Sequence, residues 1–87
     1  MKKLYIKKEN LDKDNFYIGG ENVENFNGEI IMEEGLGTVK FKRDVKCDFS
    51  ILAKAGSGIK AGWGIKAGSG IEAGLGIKAG SGIKAGS

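Results

Sequence analysis

The chain has no histidine and no proline, and only one cysteine and one threonine in 87 residues. Without histidine, the commonest general base and the commonest metal ligand are both missing. A single cysteine, Cys47, excludes an intrachain disulfide and with it a disulfide-stapled secreted scaffold. No stretch reaches the roughly 18 to 20 apolar residues of a membrane-spanning helix. The start, MKKLYIKKENLDKDN, carries lysines but lacks the apolar run of a signal peptide. The lone threonine, Thr38, excludes the threonine arrays of an ice-binding face. These absences predict a soluble cytoplasmic protein with no membrane association, no metal, no cofactor and no catalytic residues.

What is present is glycine, 16 residues of it, and a word repeated with little change. From Ala55 the chain reads AGSGIKAGWGIKAGSGIEAGLGIKAGSGIKAGS, with isoleucine at 59, 65, 71, 77 and 83. A flexible Gly/Ser linker has no reason to hold a large aliphatic residue at strict six-residue spacing. Alternation along a strand puts residues i and i−2 on one face. Each isoleucine is therefore expected inward together with the residue two before it: Ser57, Trp63, Ser69, Leu75 and Ser81. Lys60, Lys66, Lys78 and Lys84 are expected outward. Stepping upstream in sixes assigns Phe41, Cys47 and Ala53 to the isoleucine position and Val39, Val45 and Ile51 to its inward companion. Cys47 then reads as a small core residue rather than a nucleophile.

A fixed period over 35–87 predicts a stacked repeat architecture. The word I-K-A-G-S-G resembles the hexapeptide repeat of left-handed parallel β-helices, in which three hexads make one 18-residue coil. That resemblance implies an all-β fold: a parallel β-solenoid (β-helix) of about three coils over 35–87. Many members of that family are acyltransferases and some are zinc carbonic anhydrases, but the histidines that serve them have no counterpart here. A flattened 12-residue rung also fits the spacing and stays open. With 18 residues per rung, Trp63 is expected to fill the middle rung beside two small residues, between Val45 and Ser81. Lys42, Lys60 and Lys78 would align on one face, Lys66 and Lys84 on a second, and Glu72 with Lys54 on the third.

Residues 1–34 predict an N-terminal β cap, with short β-type runs LYIK, NFYIG and GEIIM between turn-rich stretches. This part carries five lysines against eight acids, net −3, whereas 35–87 carries nine basic residues against three acids, net +6. The acidic–basic split is compatible with a nucleic-acid partner, with an acidic protein surface or with simple solubility. The lead expectation is a non-enzymatic interaction or assembly module with a protein partner. The GIKAG wording also resembles small proteins of phages and mobile elements, which implies an inhibitor of a host defence protein, anti-CRISPR-like. Tyr5, Phe16 and Tyr17 are candidate partner contacts. The alternative is nucleic-acid backbone binding by the lysines at 42, 60, 66, 78 and 84. The last word stops at Ser87 with no capping sequence, which leaves an interrupted longer array or a homo-oligomer through the open C-terminal coil as expectations.

Overall fold

A word of the form Gly-Ile-Lys-Ala allows only a short strand: one aliphatic and one small side chain on one face, a lysine on the other, glycine at the ends. The structure, a computed structural model describing residues 2–86, is built from such strands. They are β1 (Lys2–Ile6), β2 (Gly28–Met32), β3 (Gly37–Phe41), β4 (Val45–Cys47), β5 (Ser50–Ala53), β6 (Ser57–Ala61), β7 (Gly64–Ala67), β8 (Gly70–Ala73), β9 (Ile77–Ala79) and β10 (Gly82–Ala85). The uncapped end expected at Ser87 lies outside the described residues.

The fold is all-β with three parallel sheets. The first has the order β1-β2-β5-β8, the second β3-β6-β9 and the third β4-β7-β10. From β2 onward the chain visits first, second and third sheet in turn, three times over. Ile59 pairs with Ile77 and Ile65 with Ile83, a step of 18 residues. Upstream the step is different: Val39 pairs with Ile59, Val45 with Ile65 and Ile51 with Ile71, a step of 20. Neither step is compatible with a 12-residue rung.

The upstream phase expected from the hexads is therefore corrected by two residues. Val39, Val45 and Ile51 stand in line with the isoleucines, and Phe41, Cys47 and Ala53 stand in line with Ala61, Ala67 and Ala73. The cause is local. Between Ile51 and Ile59 the chain reads ILAKAGSGI, two residues longer than the IKAGSGI found elsewhere. The extra length makes a turn at Ala55–Gly56, where Gly56 has φ +79°. Every pairing that spans this insertion steps by 20, and every pairing after it steps by 18.

The turn stacks on a similar one before β3, where Gly35 N–H donates to Ala55 O and Gly37 N–H to Gly56 O. Ser57 is drawn fully inside, at 0% exposure. Its hydroxyl donates to Glu33 O and accepts from Leu36 N–H at 3.0 Å. Ser57→Ala leaves two backbone groups short of a partner and is expected to lose about 1 to 3 kcal/mol. Ser81→Ala, on an exposed corner, is expected to change nothing measurable in the same urea titration.

The core is a column of Ile6, Ile30, Met32, Val39, Phe41, Val45, Ile51, Ile59 and Ile65, with Ala53, Ala61 and Ala67 between. The inward pair of each word is thus isoleucine and the alanine two after it. Ser57, two before Ile59, is inward as expected, but Trp63, Ser69, Leu75 and Ser81 fall in corners, where the strand's alternation is broken. This corrects the placement of Trp63, which is 50% exposed and not a core plug. Leu75, at the same place in its own word, is exposed as well.

Residues 2–27 supply one segment to the upstream edge of each sheet. β1 pairs with β2, Phe16 bridges to Lys40 of β3, and Phe26 bridges to Cys47 of β4. The run NFYIG makes two isolated bridges, Phe16 to Lys40 and Tyr17 to Leu11, and not the expected strand. Asn15, at φ +70°, holds it in place by donating its side-chain amide to Leu36 O and Thr38 O, at 2.7 and 2.9 Å. At the opposite end β8, β9 and β10 each have a neighbour on one side only among the described residues.

Candidate functional site

Because a two-residue shift is one full strand period, the outward lysines stay outward even though the alignment between layers changes. The outward column of the second sheet is Lys40–Lys60–Lys78. On the third sheet it is Lys46–Lys66–Lys84. Lys42, expected in the first of these ladders, sits instead at the corner after β3, where Gly62 N–H donates to Phe41 O beside it. Glu72 pairs with Leu52 and not with Lys54, which forms an ion pair with Glu33 at 3.7 Å. No ladder lysine is ion-paired among the described residues. Successive lysines lie about 4.8 Å apart along the sheet, so each ladder is a line of like charge.

The corner between the two lysine-bearing sheets stacks Arg43, Trp63 and Ser81. Trp63 N–H donates to Arg43 O at 3.3 Å, and Ser81 N–H to Trp63 O at 2.7 Å. The Arg43 guanidinium lies 5.2 Å from the Trp63 ring centroid. Beside it, Lys40 and Lys42 lie over the Phe16 ring at 5.6 and 5.8 Å. Phe16, Lys40, Phe41, Lys42, Lys60 and Gly62 line one open groove of about 290 Å³. The structure thus brings Phe16, Lys42 and Lys60 together. Asp44 is the acid in this region, and its carboxylate accepts from Gly64 N–H at 2.9 Å.

The first sheet differs on its outer face. Its outward column is Tyr5–Ile31–Leu52–Glu72. Ile31 is 6% exposed yet stands apart from the core cluster, because Tyr5 and Leu52 flank it on the outside of the sheet. Tyr5 itself is 45% exposed. Tyr17 is separate from both surfaces: half-buried, with its ring 5.9 Å from Phe41, it closes the upstream end of the core. The three aromatics expected as one contact patch therefore lie in three places.

Sequence reasoning missed Lys40 and Lys46 as ladder members, Arg43, the outward Trp63 and the Ile31–Leu52 stripe. Alternation in TVKFK and DVKCD does turn Lys40 and Lys46 outward; the two-residue phase error hid their place in the ladders. Trp63 was not findable, since a corner residue obeys no strand alternation.

Cys47 is buried, and its thiol donates to Ser50 O at 3.4 Å. Burial pushes the thiol pKa up, against smaller opposing effects of backbone hydrogen bonds at Phe49 and Ile30. Folding therefore favours the neutral thiol. That stability is complete below the ordinary thiol pKa and is lost as pH rises through the raised folded value. The expected result is that a neutral-pH disulfide reagent leaves Cys47 unmodified in the native protein and modifies it in denaturant. No cluster of three or more metal-ligating side chains occurs among the described residues. No helix among them is long and apolar enough to cross a membrane.

Comparison with known proteins returns no family model, no curated protein and no solved structure that matches this chain.

Proposed function

We propose that the three sheets are the walls of a β-solenoid and that the chain is a non-enzymatic protein-interaction module. In this reading it is a cytoplasmic inhibitor of the kind a phage or mobile element directs at a host defence protein. The observation that carries the reading is the difference between the faces. Two outer faces are lysine ladders, whereas the third bears an apolar column, Tyr5–Ile31–Leu52, edged by Lys3, Glu29 and Glu72. An aromatic and aliphatic centre inside a charged rim is the anatomy of a protein interface.

The experiment is affinity capture from nuclease-treated host lysate by the wild type and by Leu52→Lys. Position 52 corresponds to Lys60 and Lys66 on the other faces, so lysine there is compatible with the fold. A protein retained by the wild type and lost by Leu52→Lys supports the reading. Equal retention by both, or none by either, contradicts it.

A further inference from the structure

We infer that the corner between the second and third sheets is a binding site for single-stranded nucleic acid, separate from the apolar face of the first sheet. Trp63 stands at the middle of that corner, between Arg43 and Ser81. Its corner position is filled by serine in the words at Ser69 and Ser81, so folding does not require an aromatic there. Trp63 leaves half of its surface in water, even with Arg43 against its ring. A large aromatic that the core does not use, and that serine could replace, has its use outside.

Its surroundings specify the ligand. Lys60 and Lys66 lie three residues to either side of Trp63, each outward on an adjoining sheet and each at the middle of its ladder. A ligand crossing the corner therefore meets an aromatic face with a line of positive charge on both flanks. Phe16, half-buried at the upstream edge of the second sheet, lies under Lys40 and Lys42 and lines a groove shared with Lys60. An exposed ring flanked by cations is what an unpaired strand requires: a base stacks on the ring while phosphates follow the charges. A duplex hides its base faces, and an acidic peptide has none to stack. Charge alone would serve all three, but the exposed Trp63 ring favours the single strand.

Two further features fit. Asp44, the one acid in the corner, has its carboxylate held by Gly64 N–H at the start of β7. The like charges of each ladder repel across about 4.8 Å in the absence of a ligand, and a bound phosphate chain removes that repulsion.

The test uses the full chain and a dye-labelled oligothymidylate, followed by anisotropy over a range of salt concentrations. The matching duplex and polyglutamate serve as competitors. The expected result is saturable binding whose affinity falls steeply with salt. Trp63 emission is quenched as bases stack. Trp63→Ser weakens binding roughly five- to a hundredfold with no change in thermal midpoint. Lys60→Gln and Lys66→Gln each flatten the salt dependence by about one phosphate contact. Wild-type affinity in Trp63→Ser overturns the inference, as does preference for the duplex or equal competition by polyglutamate. Leu52→Lys retains oligothymidylate binding, so failure here and failure of the protein-interaction reading are read separately.

Discussion

Ile59→Ala is expected to lower stability by about 2 to 5 kcal/mol, whereas Ile83→Ala, the same change in the same word, costs less than about 1 kcal/mol. The two residues differ in what covers them. Ile59 is 1% exposed, with Val39 on one side and Ile77 on the other along the second sheet. Ile83 is 49% exposed, with Ile65 on one side and no further strand beyond it among the described residues. Removing three methyl or methylene carbons from a filled column leaves a cavity, and removing them from the last layer leaves only open water. An 87-residue chain holds a total of roughly 4 to 13 kcal/mol, so the Ile59 loss is a large fraction of it. In a melt the difference is on the order of 10 to 30 °C, taking about 4 to 8 °C per kcal/mol for a domain of this size. The intermediate members order themselves by depth: Ile65 behaves like Ile59, and Ile71 and Ile77, half-buried, fall between. Equal losses along the series would contradict the layered core.

The second large effect separates the two glycines of a word. A Cβ on Gly68 would fall inside the contact radius of the Asp48 carbonyl oxygen, and one on Gly62 would meet the Lys42 carbonyl in the same way. Both are backbone atoms of the layer beneath and cannot swing aside. Gly80 repeats the relation on Gly62. A Cβ on Gly70, by contrast, meets nothing within 4 Å. Gly68→Ala is therefore expected to lose at least about 2 to 3 kcal/mol, because two corners must be forced apart. Gly70→Ala is expected to be neutral or to gain up to about 1 kcal/mol by restricting the unfolded chain. Denaturant titrations of the two single variants check this directly. Gly62, Gly68 and Gly80 permit corners to stack, while Gly70 merely begins β8.

These two effects also explain what the sequence reveals and what it hides. The isoleucine spacing and the lysines that follow make a parallel-stranded all-β architecture legible, since one inward aliphatic per short strand has few other uses. The outward set is legible for the same reason, and a two-residue insertion does not disturb it. The same insertion, at Ala55–Gly56, defeats counting in sixes, because nothing in the letters says whether extra residues widen a corner or lengthen a strand. Only the stacked hydrogen bonds from Gly35 to Ala55 and from Gly37 to Gly56 decide that they widen it. Ser57 shows the other side of this. It looks like any serine of the repeat, yet it is buried because Glu33 and Leu36 offer backbone partners that the later corners do not.

The surfaces were legible in unequal measure. Lysine ladders follow from composition and alternation once the layers are aligned. The apolar column of the first sheet depends on residues from three distant segments, Tyr5, Ile31 and Leu52, that no local pattern connects. Trp63 misleads for a physical reason: a tryptophan in a glycine-rich chain is the obvious filler for a core. Here the inward places are already taken by Ile59, Ala61, Ile65 and Ala67. The corner leaves the ring no inward direction, and Arg43 is its neighbour instead of Val45.

Everything proposed about the basic side depends on where that ring points and what charge surrounds it, and the chain has one tryptophan to report on both. The decisive measurement is the emission and quenching of Trp63 in the native protein at low salt, with iodide and caesium compared. The account predicts emission near that of a solvent-exposed indole and stronger quenching by iodide than by caesium, because cations flank the ring. A blue-shifted emission shielded from both ions would place Trp63 in the core and contradict the account.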